Sequence, residues 1–128
     1  MKQIEIKNSY IEYNYEELPS EVQDLFTIAT KSLDLAYAPY SNFHVGAALI
    51  TTNGKIYKGC NQENASYPLC LCAERVALYN LGAEDPTQVV KILVITARNP
   101  EKKLNFPVSP CGACRQVIVE FEEKQKQD

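Results

Sequence analysis

No basic block occurs anywhere in the sequence, and the formal net charge is -3 with a pI near 5.2. An electrostatic footprint for nucleic acid is therefore missing, which counts against a protein that acts on long RNA or DNA. Nor does any apolar stretch approach the about 18 residues of a membrane span, and Met1-Lys2-Gln3-Ile4-Glu5 has no signal-peptide hydrophobic region. A cytoplasmic protein without membrane partners is expected. Cysteine is present five times, an odd number, with three of the five in metal-type spacing. That pattern reads as reduced thiols and thiolates, not as a disulfide framework. Histidine occurs once, as His44, and its place at the start of an apolar strand suits a packing or surface role better than metal ligation. With 128 residues, and neither repeat nor linker, the chain has room for one core and one domain.

Residues 1–18 alternate weakly (Ile4, Ile6, then Ile11, Tyr13, Tyr15) and read as an extended N-terminal extension on a surface or edge. Pro19-Ser20 with Gln23 predicts a capping-box helix start, after which Val22, Leu25, Phe26, Ala29, Leu33, Ala36 and Tyr37 share one face until Pro39. Val45–Thr51 and Lys55–Gly59 read as strands joined by Asn53-Gly54, a strong hairpin signal. The first of these is small and apolar throughout, which suits burial on both faces. Residues 60–71 lack periodicity and read as a loop leading to a helix from about Cys72 to Gly82. Val89–Ala97 reads as a buried strand, central and parallel to a neighbour because a helix precedes it. A last helix opens at Cys111 and places Cys114, Val117, Ile118 and Phe121 on one side, before a polar tail from Glu122 to Asp128.

Two segments carry chemistry. Cys72-Ala73-Glu74-Arg75 offers one thiolate with a carboxylate two residues on, and Pro110-Cys111-Gly112-Ala113-Cys114-Arg115-Gln116 offers two more thiolates. Three soft ligands leave a zinc ion one short of the four that close a structural site, and a catalytic zinc keeps that position for water. Glu74 is then placed to handle the water's protons. Elsewhere an acid in a first helical turn would simply complement the helix dipole; beside Cys72 it does not read that way. Both cysteine segments open helices, where free N–H groups favour thiolate over thiol.

The pair C-A-E-R and P-C-G-A-C-R-Q is a variant of the H-x-E and P-C-x-x-C signature of the zinc nucleobase deaminases, with Cys72 in the place of the histidine. It resembles the cytidine deaminase family, in its small homotetrameric branch with an all-cysteine zinc site. Asn42-Phe43-His44-Val45-Gly46-Ala47-Ala48 and Gly59-Cys60-Asn61-Gln62-Glu63-Asn64-Ala65-Ser66-Tyr67 resemble that family's substrate segments, so the match runs from about Tyr37 to Glu120. The resemblance implies a three-layer α/β/α fold with a mixed central sheet, and one Zn²⁺ per chain on Cys72, Cys111 and Cys114. It implies hydrolytic deamination of cytidine and 2′-deoxycytidine at C4 in pyrimidine salvage, with Glu74 passing the water's proton to N3 and then shuttling a proton to the departing amine. It further implies that Arg75 and Arg115 donate to ligating sulfurs, and that Asn61 and Glu63 hold the ribose hydroxyls. Phe43 would pack on the pyrimidine, and Ala65 and Tyr67 would reach a neighbouring subunit's site. Cys60 and Cys70 match no ligand position and read as small buried hydrophobes.

Rival readings remain. A structural Cys₄ zinc module using Cys70 would need tighter ligand spacing than usual and would leave Glu74, Asn61 and Glu63 idle. A deaminase of another cytosine-bearing substrate, of the blasticidin type, would have no use for Asn61 and Glu63, and the acidic charge opposes a nucleic-acid base. The sequence does not rank cytidine against 2′-deoxycytidine. Family members continue after the second zinc helix with further strands, whereas only three strands are counted here. The sequence is accordingly expected to be incomplete at its C-terminal side, leaving Ile92–Ile95 paired along one side only.

Overall fold

The structure, a computed structural model, describes residues 1–104 and 106–126. The last two positions of the expected polar tail lie outside the described residues. Among the described residues three α-helices and three strands follow, apart from two short 3-10 turns, in the order α1 (Ser20–Leu33), β1 (His44–Thr51), β2 (Ile56–Cys60), α2 (Ala73–Glu84), β3 (Val90–Arg98) and α3 (Gly112–Gln125).

Strand β1 is the middle of the sheet, whose order is β2-β1-β3. Its side chains alternate, so that Ala47 and Leu49 face a cluster with Tyr57, Ala73, Ala77, Leu78 and Leu81, while Ala48 faces Leu25 and Ala29. Strand β3 supplies both clusters too, Leu93 and Ile95 to the first, Ile92 and Val94 to the second. Helix α1 thus covers one face, and α2 with α3 covers the other. These are the three layers the sequence leads one to expect, and the run from Gly46 to Leu49 is apolar because both of its faces are buried.

Two glycines set how closely the layers approach. A Cβ on Gly46 would overlap the Ala29 carbonyl oxygen, and one on Gly59 would stand 2.5 Å from both the Ala73 oxygen and the Ala77 nitrogen. Side chains at these positions would push α1 and α2 off the sheet. Gly59 therefore fixes the height of the first turn of α2, where Cys72 and Glu74 sit.

Four features differ from the sequence reading. Strand β3 is antiparallel to its partner β1, with Ala47 opposite Ile95. Since β2 is also antiparallel to β1, the crossover through α2 does join two strands of like direction, but β1 lies between them. Among the described residues β3 pairs with β1 alone, so it is not central in this sheet, and Ile92–Ile95 are paired along one side only, as expected. Helix α1 ends at Leu33, short of Tyr37, which instead bridges Gln62: its N–H donates to the Asn61 oxygen and its oxygen accepts from the Glu63 N–H. The capping box at Ser20 does not form; Pro19 is the N-cap, and Gln23 Nε2 donates to the Leu18 oxygen at 2.8 Å. Helix α2 runs past Gly82 to Glu84. The hairpin stands as expected, with Gly54 at φ 86°.

Candidate active site

Three chain segments meet at one end of the sheet. The loop after β2 folds back on itself through paired backbone bonds between Gln62 and Leu71, at 2.9 and 3.0 Å. That closure carries Cys72 next to Asn61 and Glu63. Cys72 is the N-cap of α2 and Cys111 the N-cap of α3, so both metal segments point helix N-termini at one spot.

The sulfurs of Cys72, Cys111 and Cys114 all lie within 4.8 Å of one another, the one such group of potential metal ligands among the described residues. Cys72 Sγ is 3.8 Å from Cys111 Sγ, and Cys111 Sγ is 3.4 Å from Cys114 Sγ. A tetrahedral zinc with Zn–S bonds of about 2.3 Å separates its sulfurs by about 3.8 Å. The trio therefore fits such an ion with little movement. Cys70 is not in the group; its sulfur accepts from the Asn64 N–H at 3.2 Å and so pins its own loop. Cys60 accepts from Gln62 Nε2. Neither Cys60 nor Cys70 is a buried hydrophobe as expected, since both are only half-buried.

The two sulfurs of α3 differ electrically. At Cys111 the donated backbone N–H of Cys114 lowers the thiol below its ordinary pKa, in spite of partial burial. At Cys114 burial pushes the thiol well up, helped by the bond to Cys111 and by the charge of Glu74. The helix terminus wins at the first and burial wins at the second, where the sequence also predicts easy ionisation. A cation is what would reconcile a fully buried Cys114 with the thiolate state.

Glu74 is 5% exposed, in the first turn of α2, and its Oε2 has no hydrogen-bond partner. A buried carboxylate oxygen without a partner is costly, and its retention beside three sulfurs points to a ligand that satisfies it. Arg75 turns the other way: its Nη2 donates to Cys72 Sγ at 3.7 Å and to the Cys70 oxygen at 3.2 Å. Burial lowers the Arg75 pKa, but the sulfurs of Cys72 and Cys114 outweigh it and hold the guanidinium above its usual value. Arg115 does not mirror Arg75. Its Nε donates to the Pro110 oxygen at 3.0 Å, fastening the loop before α3.

Above the sulfurs opens a cavity of about 430 Å³, lined by Cys72, Glu74 and Cys111 at its floor and by Phe43, Asn61 and Glu63 on its wall. That volume is within the ordinary range for small-molecule sites. The polar wall residues are held by fixed neighbours. Asn61 Oδ1 accepts from the Val45 N–H at 2.8 Å, and its Nδ2 donates to the Phe43 oxygen at 2.9 Å, which clamps the start of β1 and leaves one lone pair and one hydrogen over. Glu63 accepts from the Tyr40 N–H at 2.8 Å and from the N–H and hydroxyl of Ser41. Ala65 and Tyr67 do not line this cavity; both are exposed, and Tyr67 stacks edge-on with Tyr40 at 5.8 Å. Sequence reasoning misses Ser41, Ile95, Val108 and Ser109, which complete the wall. Ser41 has a signal, its closeness to Phe43, whereas Val108 and Ser109 sit in an aperiodic stretch between prolines.

The sequence profile of the cytidine and deoxycytidylate deaminase zinc-binding region matches residues 19–126. The chain is 46% identical over 101 residues to a cytidine deaminase of Sporosarcina psychrophila, covering 79% of this chain and 70% of that one. A cytidine deaminase of Halalkalibacterium halodurans is 46% identical over 99 residues, covering 77% and 70%. Among solved structures, cytidine deaminase from Burkholderia pseudomallei superposes with a TM-score of 0.69 at 46% identity, covering 77% of this chain and 74% of that one. The Mycobacterium tuberculosis enzyme gives 0.67 at 37% identity, covering 79% and 77%. A zinc-type cysteine trio beside a buried acid, a profile match along most of the chain and solved relatives of the same fold lead to one assignment: the chain belongs to the cytidine and deoxycytidylate deaminase family of enzymes.

Proposed function

We propose that this chain is a zinc-dependent deaminase that hydrolyses the C4 amine of cytidine and 2′-deoxycytidine, giving uridine and 2′-deoxyuridine and releasing ammonia for pyrimidine salvage. Cys72, Cys111 and Cys114 would hold one zinc ion per chain, and residues 1–128 belong to a single catalytic domain with 1–18 as an N-terminal extension. The working assembly is a cytoplasmic homotetramer in which Ala65 and Tyr67 serve a neighbouring site.

One observation carries this reading. Glu74, whose buried Oε2 has no hydrogen-bond partner, lines the same cavity as Phe43, Asn61 and Glu63. Zinc bound to the three sulfurs would act as a Lewis acid and lower the pKa of water from about 15.7 toward 7. Glu74 takes the attacking water's first proton and gives it to the pyrimidine N3, then takes the proton of the hydroxyl added at C4 and gives it to the amine, which leaves as ammonia as the C4 carbonyl forms. One carboxylate suffices because it is base in the first step and acid in the second. Its burial excludes bulk water from the transferred proton. Arg75 draws charge from Cys72 and holds that sulfur in place, which offsets the excess negative charge of three thiolates.

On the wall, Phe43 packs on the ring, and the remaining donor and acceptor of Asn61 and the fourth lone-pair site of Glu63 meet the sugar hydroxyls. The position of Cys70, tied to Asn64 and outside the sulfur group, favours an open three-ligand site over a closed Cys₄ module. Ammonia release from cytidine and from 2′-deoxycytidine, before and after chelation and with zinc restored, tests the reading. Release from both that vanishes with the chelator and returns with zinc is expected; release from neither, with zinc bound at one per chain, would overturn it.

A further inference from the structure

The hydroxyl of Ser41 stands between the two kinds of wall residue. It donates to Glu63 Oε1 and accepts from the Phe43 N–H at 3.1 Å, while the Ser41 N–H donates to Glu63 Oε2 at 3.3 Å. One side chain thus joins the carboxylate proposed for the sugar to the backbone of the residue proposed for the ring. Between them Asn42 is at φ 52°, a left-handed backbone that asparagine adopts more readily than other non-glycine residues and that turns the chain from Ser41 to Phe43. The far side of Glu63 is fixed as well, by its N–H bond to the Tyr37 oxygen at 2.8 Å.

A carboxylate on a flexible stem loses rotamer freedom whenever it binds a ligand. Here that loss has already been met by the Tyr40–Ser41 turn. We propose, on the reading of Glu63 as a sugar-binding group, that Ser41 is a positioning residue for nucleoside recognition: it holds the Glu63 carboxylate in one geometry, and so sets affinity for the sugar hydroxyls without touching the reacting atoms.

The test uses the zinc-loaded full chain with two substrates, cytidine and 2′,3′-dideoxycytidine, the second lacking the 2′ and 3′ hydroxyls. Ser41→Ala should raise KM for cytidine roughly ten-fold, the scale of a lost hydrogen bond to a charged group, with kcat nearly unchanged. For dideoxycytidine its kcat/KM should stay within about two-fold of the parent, and Ser41→Thr, which keeps the hydroxyl, should recover most of the loss on cytidine. In a Glu63→Gln background the Ser41→Ala change should add less than about two-fold, because the group it positions is already gone. Zinc content equal to the parent's shows that the variants are folded at the site. Equal losses on both substrates, full additivity with Glu63→Gln, or no loss at all would each overturn the proposal. Glu63→Gln itself separates the two layers: selective loss on cytidine there, without selective loss in Ser41→Ala, removes only the Ser41 role. Unselective loss in Glu63→Gln removes the sugar assignment and the Ser41 role together.

Discussion

Arg75 Nη2 lies 3.7 Å from Cys72 Sγ and also donates to the Cys70 oxygen at 3.2 Å, so one guanidinium ties a proposed zinc ligand to the loop that delivers it. Arg75→Ala should weaken zinc retention by roughly 10- to 100-fold in competition with a chelator, the usual effect of removing a hydrogen-bond partner of a ligand. Arg115→Ala, whose bond goes to Pro110, should cost distinctly less. Equal losses in the two variants would contradict the asymmetry.

The cysteines divide three against two. Cys72→Ala, Cys111→Ala or Cys114→Ala should each abolish stoichiometric zinc and turnover together, whereas Cys70→Ala should keep both. Metal analysis of the purified variants decides this, and zinc loss in Cys70→Ala would revive a four-cysteine site.

Gly59→Ala places a methyl 2.5 Å from the Ala73 oxygen and the Ala77 nitrogen, and backbone there cannot yield as a side-chain tip would. Displacing α2 should cost about 1–3 kcal/mol of stability. It also moves Cys72 and Glu74 relative to the wall, so turnover should fall even at temperatures where the variant is folded. A variant with the parent's Tm and turnover would show that α2 is not held by this contact.

Acid should act through Glu63. Partial burial raises its pKa, but bonds from the Ser41 hydroxyl and from the Tyr40 and Ser41 N–H groups outweigh that and leave it below the ordinary 4.5. A depressed carboxyl stabilises the fold fully above its unfolded pKa and loses that contribution as pH falls through the native one. The Tm deficit of Glu63→Gln against the parent should therefore be largest near neutral pH and shrink below about pH 4.5. A deficit that grows with acid would mean that the carboxylate is not held in its charged form.

Much of the fold is legible in local signals, because those signals are also what decides the structure there. Asn53-Gly54 forces a tight hairpin whatever surrounds it, and the two-sided apolar run of β1 has no place but between layers. The direction and place of β3 are not legible in the same way, because the Ile92–Ile95 pattern reports burial, while its partner is chosen by tertiary packing. The end of α1 escapes for a related reason: Tyr37 fits the helical face, yet its backbone gains more by bridging Gln62. At the site, the residues with strong spacing come together, since Cys72, Glu74, Cys111 and Cys114 are fixed by the first turns of two helices. Ser41 is signalled only by its closeness to Phe43, because its side-chain bond goes to Glu63, a residue distant in sequence, which no periodicity reports.

The most direct measurement takes one preparation of Glu74→Gln and determines its zinc content and its rate of ammonia release from cytidine. The substitution keeps the size of the side chain but removes its ability to take a proton, so zinc should remain at one per chain while turnover falls by a factor of roughly 10²–10⁴ or more. Near-parental turnover with zinc in place would contradict the assignment of Glu74 as the proton carrier.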